Sequence, residues 1–223
     1  MKRIGITQRV VYVERIHERR DVLDQRWYNL AKSLGVLLIP IPNNLVSPSD
    51  YVTELDIQGL IFSGGNNIGI IDKKLIEGKT LIDDDVAYER DETETELLSW
   101  ASESKIPVVG ICRGMQLINT YFQGTQDKVN SSSHVASNHR IEFTSELYQN
   151  IYGSKTEVNS YHRYGIIKAN LAKELQVDGV YNSNEVEAFS HEELPMHGIM
   201  WHPERYNEIR SKDLKLFSEI FSL

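Results

Sequence analysis

The chain has 223 residues, 40% of them hydrophobic, with a formal net charge of -8 and a single cysteine. That length and composition suit an α/β protein with a sizeable core, and the acidic balance argues against general nucleic-acid binding. No apolar stretch approaches a membrane span, Met1-Lys2-Arg3 leads into a strand-like segment instead of a signal-peptide core, and one cysteine permits no internal disulfide, so the expectation is a cytoplasmic protein of one domain over residues 1–223.

In chain order, a strand is predicted over 2–7. Behind it comes a basic cluster, Arg9, Arg15, Arg19 and Arg20, partly neutralised by Glu14, Glu18 and Asp21. A solvated helix face and a phosphate-binding edge compete for that cluster. A helix is predicted over 21–35, then strands over 36–41 and 58–63. The last of these runs from Gly59-Leu60-Ile61-Phe62 into Ser63-Gly64-Gly65-Asn66. Adjacent glycines there allow a backbone N–H to turn toward a developing oxyanion, with an ordinary tight turn as the competing reading. A helix over 88–105, a strand over 106–111 and a helix over 113–123 complete a strand-helix-strand pattern. That order predicts a parallel sheet with helices on both faces and ligands at the C-terminal strand ends. Residues 125–160 are more polar and predict hairpin and loop structure.

The segment Gly110-Ile111-Cys112-Arg113-Gly114 carries the chemistry. A strand that ends in glycine, nucleophile and glycine before a helix makes a tight turn that holds the central side chain clear of the backbone. A helix N-terminus behind Cys112 favours its thiolate. A lone cysteine is otherwise a small buried hydrophobe, and the glycines tip the reading toward a nucleophile. The base it needs is supplied by Gly198-Ile199-Met200-Trp201-His202-Pro203-Glu204, which presents His202 from a strand end with Glu204 two residues on. One His and one Glu are too few for a metal site, and the spacing of His134, His139 and His162 matches no common zinc pattern. Gln116, one helical turn beyond Cys112, falls on the same helix face.

These motifs resemble the class I glutamine amidotransferases, and within them the γ-glutamyl hydrolase branch that acts on amides such as γ-glutamyl-γ-aminobutyrate. The similarity runs from Ile4-Gly5-Ile6-Thr7 through Phe62 to Asn66, Arg90-Asp91, Gly110 to Gly124 and Val158-Asn159-Ser160-Tyr161-His162 to His202-Pro203-Glu204. The resemblance implies a three-layer, flavodoxin-like fold with a central mostly parallel sheet. It further implies Cys112 as nucleophile, His202 as base, Glu204 as its orienting acid, and the N–H groups of Gly65 and Arg113 as the oxyanion hole. Gln116, Asn66 and the backbone around Ser160 and Tyr161 would contact the γ-glutamyl substrate, and no metal or organic cofactor is required. The chain departs from the family pattern at two places: Asn66-Asn67-Ile68-Gly69-Ile70 lacks the Asp, Pro and Tyr that relatives often carry, which bears on substrate choice and not on the chemistry, and Met200 stands where Gln is usual. The chain has no room for a synthetase domain, so a free-standing hydrolase is expected, with a glutaminase subunit or a silent binding protein as alternatives. The overall sequence is also similar to γ-glutamyl hydrolases of capsule phosphoramidate synthesis, whose leaving group is nucleotide-linked; the arginine cluster would then face that group.

Overall fold

The computed structural model describes residues 1–69 and 85–223. The first strand, β1 (Arg3–Thr7), is followed by a hairpin of β2 (Arg9–Val13) and β3 (Glu18–Val22). The helix expected over 21–35 begins only at Arg26 and runs to Leu34 as α1. The reason lies in Val10-Val11-Tyr12-Val13, a β-branched and aromatic run that pairs with the residues leading up to α1, register Val13 with Glu18 and Arg9 with Val22. His17, in the left-handed region at φ 54°, turns the hairpin.

After β4 (Leu37–Ile41), α2 (Pro48–Glu54) and β5 (Leu60–Phe62) come α3 (Tyr88–Ser104), β6 (Val108–Ile111) and α4 (Arg113–Tyr121), each within a few residues of its expected bounds where one was given. The polar stretch beyond forms β7 (Asp127–Lys128), α5 (Ser131–His134), β8 (Val135–Phe143), α6 (Glu146–Tyr152) and β9 (Lys155–Tyr161). The chain continues through β10 (Tyr164–Ile167), β11 (Leu175–Tyr181), β12 (Glu185–His191) and β13 (Met196–Ile199) to α7 (Ser211–Phe221).

The main sheet has the order β4-β1-β5-β6-β13-β12-β11-β8-β9. Its first five strands are parallel, and from β13 outward the neighbours are antiparallel. Register pairs Ile61 with Val109 and Phe62 with Gly110, so alternate residues point to opposite faces. Ile4 and Ile61 meet Trp27 and Leu30 of α1 and Phe221 of α7. On the other face, a Cβ at Gly110 would lie 2.6 Å from the Gly114 backbone of α4. Helices therefore cover both faces of the parallel part, as the alternation of elements predicts. Because β1, β5, β6 and β13 all run the same way, Thr7, Ser63, Cys112 and the segment to His202 emerge along one edge.

Candidate active site

Strand β6 ends at Ile111 and α4 begins at Arg113, so Cys112 alone makes the turn, with φ 52° and ψ -104°. A side chain held at positive φ stores roughly 1–3 kcal/mol of backbone strain, which the surrounding packing has to hold in place. The packing is close: a Cβ at Gly114 would lie 2.1 Å from the carbonyl oxygen of Phe62. Glycine at 110 and 114 is what lets α4 lie directly on β5 and β6. The Cys112 N–H donates to the Ile199 carbonyl at 2.8 Å, which ties the elbow to β13, the strand that leads to His202.

His202 is buried beside Cys112, the two side chains flanking Gly64, and its Nδ1 lies 2.7 Å from Glu204 Oε1. Burial alone would push the Cys112 thiol up, but the neighbouring His202 outweighs it and holds the thiol below its usual range. Burial alone would likewise lower His202, yet Glu204 and Cys112 raise it to about 9. The pair therefore favours thiolate and imidazolium together. Asn159 of β9 fixes the histidine from both sides of its backbone: its Oδ1 accepts from His202 N–H at 2.8 Å and its Nδ2 donates to the His202 carbonyl at 2.9 Å. Asn159 belongs to the motifs that carry the sequence resemblance, but its clamp on His202 depends on strands far apart in the chain.

The loop after β5 is set from below by Arg90. Its Nη1 donates to the Gly65 carbonyl at 2.6 Å and to Gly64 at 3.2 Å, and its Nη2 donates to the Ser63 carbonyl at 2.6 Å. Gly65 sits at φ 85°, where a Cβ would lie 2.8 Å from Arg9 Cδ. A Cβ at Gly64 would lie 2.7 Å from His202 Cε1. The Gly-Gly pair thus threads between Arg9 and His202, with its carbonyls held on Arg90. Arg113, whose N–H opens α4 and has no intrahelical acceptor, sends its buried guanidinium to Asp91 and Glu94, while Arg90 Nε donates to Glu94 Oε1 at 2.9 Å. Two arginines and two acids balance in charge, all of them buried.

A pocket of about 410 Å³ opens over Cys112, with Gln116, Tyr161, Arg163, His202 and Arg205 among its walls. Gln116 Nε2 donates to the Tyr164 carbonyl at 2.8 Å and lies 4.0 Å from Met200 Sδ. Tyr161 stands edge-on to His202, ring centroids 5.8 Å apart, and under the Arg205 guanidinium. Asn66 also borders the pocket, but its side chain is spent on the hairpin: it donates to the Val10 carbonyl at 2.9 Å and to Asp85 Oδ1 at 2.8 Å, and accepts from Val10 N–H at 2.9 Å. The Ser160 hydroxyl donates to the His134 carbonyl at 2.9 Å.

The arginine cluster divides. Arg9 reaches the pocket and pairs with Asp85 at 3.0 Å. Arg19 is bound to Glu89 at 2.6 Å, Arg20 to Glu18 at 2.8 Å, and Arg15 sits exposed in the turn of the hairpin. Strand position explains the split, since Arg19 and Arg20 belong to β3, whose side chains are all exposed. Arg163 and Arg205, which no basic run marks in the sequence, line the pocket instead.

Beside the pocket, His134, His139 and His162 converge with Glu185 and Glu187. His134 Nδ1 and His162 Nε2 are 3.1 Å apart, His134 Nε2 is 2.7 Å from Glu185, and His139 Nε2 is 3.2 Å from Glu187. Ligand atoms of His134, His139 and Glu187 lie within 4.8 Å of one another, so by residue type they could hold a metal ion. Sequence spacing hid this grouping, because α5, β8, the turn after β9 and β12 assemble it. Burial pushes His134 down to about 4. For His162, burial acts in the same direction, but Glu187 and Cys112 raise it.

A family model described as Peptidase C26 matches residues 3–204. The chain is 31% identical to a γ-glutamyl-CDP-amidate hydrolase of Campylobacter jejuni, the match covering 99% of this chain and 98% of that protein. It is 28% identical to a glutamine-hydrolyzing GMP synthase subunit of Methanococcus aeolicus, over 95% of this chain and 93% of the other. The crystal structure of a glutamine amidotransferase from Thermotoga maritima superimposes with a TM-score of 0.65 at 13% identity, covering 99% of this chain and 84% of that one, a likeness of fold. Among the described residues no helix is long and apolar enough to cross a membrane.

Proposed function

The chain belongs to the Peptidase C26 family, and from that premise we propose that it is a cysteine-dependent hydrolase that cleaves a γ-glutamyl amide to release L-glutamate. The observation that carries this reading is that Cys112 and His202 line the same pocket, with His202 Nδ1 hydrogen-bonded to Glu204 Oε1 behind it. Glu204 holds the imidazole and raises its proton affinity, so that His202 keeps Cys112 as a thiolate. The thiolate attacks the γ-carbonyl carbon, and the carbonyl oxygen takes the negative charge between the N–H groups of Gly65 and Arg113. His202 gives its proton to the leaving nitrogen as the C–N bond breaks. Water, deprotonated by His202, then attacks the thioester and returns the thiol.

The substrate that we favour is γ-glutamyl-CDP-amidate, acted on in the cytoplasm during synthesis of capsule phosphoramidate. Near full-length similarity to a hydrolase named for that compound supports it. A second reading, a glutaminase subunit that passes ammonia to a separate synthetase, is favoured by the similarity to the Methanococcus GMP synthase component. The deciding experiment measures glutamate release by the purified protein from glutamine, neutral γ-glutamyl amides and γ-glutamyl-CDP-amidate. The hydrolase reading expects the highest kcat/KM on the nucleotide-linked compound. Turnover of glutamine alone would favour the ammonia-supplying role, and binding without release from any compound would make the chain a silent relative.

A further inference from the structure

A second pocket, of about 290 Å³, meets the first along Arg9, Gly65, His202 and Arg205. It contains the proposed base but not Cys112, and its other walls include Val22, Leu23, Asp24 and Trp27. The chemistry of the proposed reaction divides the substrate along the same line. The acyl half has to stay with the thiol that it acylates, whereas the departing nitrogen has to reach the proton on His202. The pocket that shares His202 and lacks the nucleophile lies where the leaving half would extend.

Two guanidinium groups stand on the boundary. Arg9 is half-exposed, and its ion pair among the described residues is a surface one with Asp85, a contact worth roughly 0–1 kcal/mol and readily exchanged. Arg205 stacks over Tyr161 with its side chain about 30% exposed; its buried Nε faces Glu204 Oε1 at 3.5 Å, and its terminal nitrogens make no hydrogen bond among the described residues. Planar guanidinium groups with donors to spare match the oxygen atoms of a phosphate. On the Cys112 side, Arg163 lines the pocket with its side chain exposed and bound to no partner among the described residues.

We propose that the second pocket is the leaving-group subsite, that Arg9 and Arg205 bind the phosphate attached to the scissile nitrogen, and that Arg163 binds the α-carboxylate of the glutamyl half. This assignment rests on the hydrolase reading above. It places specificity for a phosphate-bearing leaving group at the hairpin and at the residue following Glu204, and a feature common to every γ-glutamyl substrate at Arg163.

The test compares γ-glutamyl-CDP-amidate with γ-glutamyl-p-nitroanilide, whose leaving group is neutral, and measures binding of cytidine diphosphate by calorimetry. Arg9→Gln and Arg205→Gln should each lower the ratio of kcat/KM on the nucleotide-linked substrate to that on the anilide by about tenfold or more, and should weaken cytidine diphosphate binding in parallel. Arg163→Gln should lower kcat/KM on both substrates together and leave cytidine diphosphate binding at its wild-type value. Equal losses on both substrates from the Arg9 and Arg205 variants, or no loss on either, would overturn the subsite. Wild-type protein that binds cytidine diphosphate through these arginines but releases no glutamate would overturn the hydrolase reading and leave the phosphate site standing. Hydrolysis of the anilide with no cytidine diphosphate binding would do the reverse.

Discussion

The parallel and antiparallel parts of the sheet do different work at the pocket. From the parallel part, β5, β6 and β13 deliver Gly64-Gly65, Cys112 and His202 at strand ends, where the shared direction gathers them. The antiparallel strands approach with their faces and supply Asn159 to the His202 backbone and Glu187 to His162 and His139. The proposed reacting groups thus come from the ends of parallel strands, Cys112 and Gly65 at positive φ, and their supports from residues whose position depends on cross-strand register. Substitutions in the first set should remove chemistry, and those in the second should degrade geometry.

The largest effect is expected for Cys112→Ala, which should abolish glutamate release while the protein stays folded, since a smaller side chain fits the elbow. A folded variant with a tenth of wild-type turnover would show that the parallel edge is not where bond cleavage occurs. His202→Asn should cost about four decades in kcat/KM. It should also change how Cys112, the only cysteine, reacts with iodoacetamide. In the wild type the thiol is held low, so alkylation should persist below the ordinary thiol range near pH ~8.5 and fall only as acid protonates the thiolate. Without the imidazolium, burial pushes the thiol up and neutral-pH alkylation should be lost. The alkaline limb of wild-type kcat/KM should lie near the value of about 9 to which His202 is raised, where the proton for the leaving group is lost.

Glu94→Gln tests the buried support beneath the parallel edge. It breaks ion pairs to Arg113 and Arg90 and leaves excess positive charge in a dry site, so denaturant unfolding should show a loss of about 3–5 kcal/mol. Glu204→Gln should lower kcat/KM by roughly two decades, less than His202→Asn, because the acid orients and does not transfer the proton. Asn159→Ala, on the antiparallel side, should lower kcat by about tenfold with KM near wild type. A loss as large as that of His202→Asn would erase the distinction between the two halves.

The same distinction explains what the sequence makes legible. Cys112 is visible because glycine at 110 and 114 is demanded by contacts within a few residues and with the adjacent strand. The spacing of His202 and Glu204 is likewise local. The hairpin of β2 and β3 is misread in part as helix because most of its apolar residues lie in β2 while β3, exposed throughout, carries the polar pattern of a solvated helix. Arg163 and Arg205 are scattered in sequence and join Arg9 only through the fold. The histidine cluster is invisible for the same reason: β8 and β12 meet β9 through pairings that no short spacing records.

The most direct test is rapid-quench mass spectrometry of the wild-type protein mixed with γ-glutamyl-CDP-amidate. The expected result is a transient γ-glutamyl adduct on the peptide that contains Cys112, forming and decaying at rates consistent with glutamate release, and absent from Cys112→Ala. Glutamate released at the full rate with no adduct on Cys112, or an adduct on another residue, would contradict the assignment of Cys112 as the nucleophile.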